Sequence, residues 1–457
     1  MIIRARVVVT MDGPPIENGA VAVSGDRIVD VGKFSEISNQ HSTEEVVDLD
    51  NQALLPGLIN AHCHLDYTCL RGKISRPESF TDWIRAINAE KAKLSVADYV
   101  ASINEGFAEA TRFGTTTIAN LTAFPELISR IEPPIRTWWF AELLDVRDPS
   151  RANEIVDLAV EKLKSAEHWG LAPHAPFTAS AKIYRRCEEI ARRENILRTT
   201  HLAESREEMS MFRDASGTLY DFLKQIGRDM ADCGRKTPLS QFTEIVRECT
   251  RSSPDSLAAT SRLRRPSRSS HSLDSSTSRL RPATARQALG MTGGWMVVHL
   301  NELTESDFDL LKESTTKFSI VHCPRSHEYF EHSPFQFDKL RECGFNICLG
   351  TDSLASNEDL SLFAEMRAFQ KTFPKVPAEH IFEMVTLMPA LALGKPHVLG
   401  RIRKNFFADL IAIPIARDGE SVLRRTRSTS VFEQIIGFDR PVSWSMMGGE
   451  VQANPSP

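Results

Sequence analysis

Long apolar runs are missing from this chain: no uninterrupted stretch in its 457 residues approaches the roughly 18 needed to cross a bilayer. A Cys-x-x-Cys pair is missing too, although the chain has 8 cysteines, which reads as reduced thiols. The opening Met1-Ile-Ile-Arg-Ala-Arg-Val-Val-Val has no basic segment followed by an apolar one and a cleavage site. The expected address is therefore cytoplasmic, with no membrane partner. An excess of basic residues is also lacking, because 55 Lys plus Arg face 60 Asp plus Glu, for a formal charge of −5. That balance excludes a surface built as a whole to hold nucleic acid by charge. What is present is 41% hydrophobic residues, enough for a large globular core.

Residues 1–53 read as short strands with turn punctuation, among them Arg6–Thr10, Ala20–Val23 and Arg27–Val31, separated by Asp12-Gly-Pro-Pro15 and Ser24-Gly-Asp26. From Leu54 the texture changes to β-rich runs alternating with segments of helical periodicity. Eight such runs are predicted: Leu54–Ala61, Thr115–Asn120, Thr137–Leu144, Gly170–Pro173, Leu197–His201, Trp295–Leu300, Phe318–Cys323 and Asn346–Gly350. The helical segments between them include Asn153–Ser165, and Glu305–Glu313 behind a capping Thr304. Eight buried strands alternating with helices fit an α/β fold, a closed parallel (β/α)8 barrel, better than an open sheet. Strand-and-turn texture returns after about Leu399, at Ala408–Ile413 and Gly448–Gln452. The expected organisation is a barrel over 54–399 beside a small composite β-sandwich built from 1–53 and 400–457.

One interval breaks this rhythm. Successive strand starts lie about 20 to 35 residues apart after the second strand, yet Leu197 and Trp295 are 98 apart. Residues 251–290 hold 11 Ser and 8 Arg, two Asp, and no Lys or Glu. A low-complexity insertion over 245–292 follows, read first as a solvated loop, with a lid and a shifted reading frame as alternatives. It carries +6, which leaves −11 on the rest of the chain.

Histidines stop at the ends of the predicted strands. His62-Cys63-His64 closes the first, where alternation turns both imidazoles to one side, as two nitrogen ligands to one metal require. His174 ends the fourth strand, His201 the fifth and His299 the sixth, and the eighth runs into Asp352. In a barrel these C-terminal ends converge on one mouth, so five histidines and an aspartate share a cavity.

His62-x-His64, His201-Leu-Ala-Glu204, His299 and Gly350-Thr-Asp-Ser353 together resemble the amidohydrolase superfamily. Pro173-His-Ala-Pro-Phe-Thr-Ala-Ser180 and His322-Cys-Pro-Arg-Ser326 are similar to motifs of the branch holding triazine hydrolases and adenosylhomocysteine, methylthioadenosine and guanine deaminases. The resemblance implies that His62, His64, His201 and Asp352 bind one divalent metal, zinc or iron, which lowers the pKa of a water towards about 7. It implies Asp352 as acceptor of the water's proton, Glu204 as proton donor to a ring nitrogen, and His299 as partner of the attacking oxygen. His174 and Ser326 are implied substrate contacts. Two-metal relatives bridge their ions with a carboxylated lysine on the fourth strand, and Gly170–His174 offers no Lys. Two positions depart from the family pattern: His327 stands where Asn usually follows the Ser, and Arg403-Lys-Asn-Phe406 lacks a usual glycine.

The expected activity is hydrolytic removal of an exocyclic amine from a purine-type ring or nucleoside, releasing ammonia, in a homo-oligomer with a small heterocyclic substrate. The alternatives are hydrolysis of a chloro substituent or cyclic amide on a triazine-like heterocycle, and a metal-binding barrel without catalysis that serves as a scaffold.

Overall fold

The computed structural model describes residues 1–251, 294–314, 318–416 and 430–452. Five strands open the chain: β1 (Ile2–Val8), β2 (Ile16–Ser24), β3 (Arg27–Lys33), β4 (Val46–Asp48) and β5 (Gln52–Pro56). Nine further strands follow: β6 (Leu58–His64), β7 (Thr115–Thr122), β8 (Arg136–Leu143), β9 (His168–Pro173), β10 (Leu197–Leu202), β11 (Trp295–His299), β12 (Ser319–His322), β13 (Asn346–Leu349) and β14 (Asp352–Ser353). The chain ends in β15 (Leu410–Pro414), β16 (Trp444–Met447) and β17 (Glu450–Val451).

Strands β6 to β13 pair in chain order, all parallel. β14 continues β13 past Gly350 and pairs with β6, Asp352 opposite Cys63 and Ser353 opposite His64, which closes the (β/α)8 barrel. Gly350 is required there, because a Cβ would stand 2.8 Å from the carbonyl oxygen of His62. Inside the barrel, Ile59, Leu121, Phe140, Met296, Val298 and Val321 form an apolar layer. Ala390, Leu393 and Leu399 pack against this layer and stopper the end opposite the strand C-termini. The apolar faces of the surrounding helices bury against the outside of the same strands. Helices Ala152–Leu163 and Glu305–Glu313 lie where periodicity placed them, the latter under a capping box of Thr304 with Asp307.

The second sheet joins both ends of the chain in the order β17-β16-β15-β5-β1-β2-β3, with β4 beside β1. Ile3, Val8, Val21, Ile28, Leu410 and Met446 pack into a separate core, so the termini form the small β-sandwich. Ile28 N donates to Phe406 O at 2.9 Å and Asn405 N to Ile28 O at 2.8 Å, which folds the segment before β15 back on β3. Asn405 takes the left-handed backbone there, at φ 70°, in the turn that lacks glycine.

Three expectations need correction. The run Leu54–Ala61 is two strands, because the chain passes between the sheets at Gly57 rather than at 53/54. A Cβ on Gly57 would stand 2.1 Å from Thr116 Oγ1, so only glycine permits the close approach. The segment beyond 400 is not all sheet: Val431–Gly437 is a helix whose Ile435 and Ile436 are buried in the barrel's outer core. The expected insertion at 245–292 begins inside the helix Pro238–Arg251, whose Leu239, Phe242, Ile245 and Val246 recur at helical spacing and are buried. The remainder of that insertion, 252–292, lies outside the described residues.

Candidate active site

The first barrel strand carries the feature that aims its histidines. Ile59 and Ala61 face the interior apolar layer, but Cys63 packs outside. The pairing register slips between Asn60 and Cys63. Buried Asn60 fills the irregularity: its Nδ2 donates to Thr351 Oγ1 at 2.8 Å, while its Oδ1 accepts from the backbone amides of His62 and Thr351, both at 3.3 Å. A bulge re-aims side chains, and here it presents His62 and His64 at the mouth.

At the mouth the expected residues converge. His64 Nε2 and His201 Nε2 lie 3.3 Å apart, and Asp352 Oδ1 is 3.6 Å from His62 Nε2 and 3.9 Å from His64 Nε2. Donor atoms of His62, His201 and His299 lie within 4.8 Å of one another, as do those of His62, His64 and Asp352. His201 Nδ1 faces the His174 carbonyl oxygen at 3.0 Å. That contact keeps the proton on Nδ1 and leaves the Nε2 lone pair free for a cation.

This donor set fits a divalent metal. Neither ring nitrogen of buried His62 has a hydrogen-bond partner among the described residues, nor has His299 Nε2. Unpartnered buried nitrogens are costly unless something else occupies their lone pairs. Tetrahedral ligands at about 2.0–2.1 Å from an ion stand roughly 3.3–3.4 Å from each other, close to the spacings found here. Burial keeps the imidazoles neutral: it depresses His64 and His299 well below the ordinary range, and His174 and His201 to about 3. Burial also works to raise Asp352, but His62 at 3.6 Å and the nearby His299 and His64 prevail, and its carboxyl stays well below the usual range.

Glu204 is buried beside the cluster, its Oε1 3.5 Å from His299 Nε2. Burial, with Asp352 as a nearby negative charge, raises its carboxyl well above the usual range. Ala203, His299, Leu300 and Asp352 all adopt left-handed backbone, with φ between 50° and 74°. Backbone bonds between strand ends hold them there, such as Leu300 N to Leu202 O at 2.9 Å.

His174 reaches the same mouth, with Nδ1 2.6 Å from Thr178 Oγ1 and Nε2 3.7 Å from Glu142 Oε1. Ser326 does not present the open face expected of a substrate contact. Its buried hydroxyl donates to Asp352 Oδ2 at 2.7 Å and meets Ser356 Oγ at 3.0 Å. The reason is local: Pro324 starts a helix immediately after β12, and its first turn points Ser326 inward under Asp352.

Sequence reasoning passed over Asn60, Glu142 and Asn301. Glu142 had a signal, a carboxylate at the C-terminal end of the third barrel strand, where functional residues gather. A cavity of about 260 Å3 opens between the loops after β6, β10 and β12, lined by Phe80, Arg206, Glu207, Phe330 and His332. A second, of about 380 Å3, lies near the starts of β8 and β9, away from the barrel mouth.

The Amidohydrolase family profile matches residues 53–432, spanning the barrel and its histidine mouth. The chain belongs to the amidohydrolase family. This amidohydrolase is 26% identical over 415 residues to the 5-methylthioadenosine/S-adenosylhomocysteine deaminase of Pyrococcus abyssi, covering 87% of this chain and 81% of that protein. Its fold is similar to that of Helicobacter pylori aminofutalosine deaminase bound to methylthio-coformycin, with TM-score 0.78, 18% identity, and coverage of 99% of this chain and 100% of the other. It is also similar to a zinc-bound adenosine deaminase from Xanthomonas campestris, with TM-score 0.71, 22% identity, and coverage of 98% and 92%. It is a hydrolase of carbon–nitrogen bonds other than peptide bonds.

Proposed function

We propose that this amidohydrolase is a metal-dependent deaminase that hydrolyses the exocyclic amine of a purine-type ring or nucleoside and releases ammonia. The observation that carries the reading is Glu204, a buried carboxyl pushed well above its ordinary range, 3.5 Å from His299 and beside a convergent set of imidazoles. Hydrolytic deamination needs a proton donor for the ring nitrogen as well as an activated water. The deaminase relatives support the same chemistry.

In this proposal His62, His64, His201 and Asp352 hold one divalent ion, with zinc the first choice and iron also compatible with imidazole and carboxylate donors. That ion supplies a water acidified towards neutral pH. Glu204 gives its proton to the ring nitrogen as the water's oxygen adds to the adjacent carbon. His299 orients the attacking oxygen, and Asp352, fixed by Ser326 and by the Ser353 amide at 2.8 Å, accepts the water's proton. Asp352 passes that proton to the amino group, which leaves as ammonia, and the hydroxyl proton left on the reacting carbon returns to Glu204 as the carbonyl forms. His174 contacts the substrate from the far wall, neutral and aligned by Thr178 and Glu142.

The cytoplasmic address and the homo-oligomer belong to the same proposal. The eight cysteines, all among the described residues, are thiols rather than disulfides, which suits a reducing compartment. Among the described residues no helix is long and apolar enough to cross a membrane.

A panel of aminopurine nucleosides, including adenosylhomocysteine, methylthioadenosine and aminodeoxyfutalosine, tests the proposal by ammonia release. Ammonia from at least one supports it. Chloride from a chlorotriazine, or a carboxylate from a cyclic amide, with no ammonia from any nucleoside, overturns it.

A further inference from the structure

Asn301 stands where the loops after β10, β11 and β12 meet. Its backbone N donates to Ala203 O at 2.9 Å, and Glu302 N donates to the same oxygen at 2.8 Å. Its side-chain Nδ2 donates to the carbonyl oxygen of Glu204 at 3.0 Å. With that nitrogen committed to a carbonyl, Asn301 Oδ1 faces His327 Nδ1 at 3.1 Å and can only accept. His327 therefore carries its proton on Nδ1.

His327 is held firmly enough to act as a support. It packs edge-on against His322 at 5.2 Å between ring centroids and near His332 at 5.6 Å. Its backbone amide closes the first turn of the helix Pro324–Phe330 on Cys323 O at 2.9 Å. The same turn carries Ser326, which holds Asp352. One turn of helix thus reaches the Asp352 carboxylate directly and the backbone of the Glu204 loop through Asn301. That loop and its neighbour contain Ala203, His299 and Leu300 in left-handed backbone, a conformation that persists only where surrounding contacts over-determine it.

We propose that His327 and Asn301 form a hydrogen-bonded brace that positions Glu204 against His299, and that both are positioning residues for proton donation. This rests on the deaminase reading. The essential element is a donor at the place of His327 Nδ1, which Asn at 327 supplies through its own Nδ2 and Leu does not.

The test compares the metal-loaded parent with His327→Leu, His327→Asn and Asn301→Asp, the last preserving shape while removing the donor to Glu204. His327→Leu and Asn301→Asp are expected to lose about 10- to 100-fold in kcat with KM within about threefold, and metal content unchanged. His327→Asn is expected to keep kcat within about threefold. Hydrogen exchange at the Glu204, Asn301 and Glu302 amides should quicken in the first and third variants and stay at the parent rate in His327→Asn. Unchanged kcat in His327→Leu, a loss carried by KM, or equal losses in His327→Asn and His327→Leu overturns the brace. A parent that releases no ammonia overturns the deaminase reading instead, and the exchange pattern then decides the brace alone.

Discussion

Ser326 illustrates how a single hydroxyl shapes the site. It donates to Asp352 and leaves the carboxylate's other oxygen directed at His62 and His64. Removing such a partner commonly costs 10- to 100-fold in metal affinity. Ser326→Ala is expected to lower metal affinity within that range, measured by chelator competition, while leaving the melting temperature of the metal-free protein nearly unchanged. Glu365 is a different kind of residue. It is fully buried, and burial drives its carboxyl up to about 8 despite Arg325 and Asn357, with Asp359 adding to the rise. A raised folded pKa means that its proton stabilises the native state fully below about 4.5, and that this contribution is lost as pH rises through about 8. Glu365→Gln should therefore flatten the dependence of the urea midpoint on pH across that window; an unchanged slope contradicts the assignment.

Elements explain what could and could not be read in advance. The histidines were legible because strand ends in a barrel converge, so His62, His64, His174, His201, His299 and Asp352 needed only their spacing and the barrel. The bulge that aims His62 was not legible, since it depends on Asn60 bonding to Thr351 across the closure of the barrel, 291 positions away in sequence. The break at Gly57 was hidden for a similar reason: an apolar run crosses it without a change of texture, and the contact that demands glycine is made by Thr116. Gly57→Ala is expected to destabilise the fold by roughly 2–4 kcal/mol, because the methyl group meets a β-branched side chain on a fully buried strand. Chemical denaturation measures it, and a loss below about 0.5 kcal/mol would show that the hand-over between the sheets tolerates a side chain. Gly448-Gly449 was legible as strand-and-turn texture, and both glycines lie at positive φ in the turn between β16 and β17.

On the scale of the whole molecule, one barrel, stoppered by Ala390, Leu393 and Leu399, offers a polar mouth over an apolar interior. The formal charge of −5 averages an acidic body of −11 with the Ser/Arg-rich stretch. A metal that binds only the folded mouth stabilises the whole chain by mass action. Stripping it with a chelator should lower Tm by roughly 5–10 °C, and restoring one equivalent per chain should recover it. About two equivalents at saturation would contradict a single-ion site. In the proposed chemistry Glu204 is the group that turns this mouth into a deaminase. The most direct test of that role is the rate of ammonia release by metal-quantified Glu204→Gln beside the parent, on whichever aminopurine nucleoside the parent uses best. Equal metal content and a loss of at least about 100-fold in kcat are expected for the variant; a glutamine enzyme that deaminates as fast as the parent would contradict the role of Glu204.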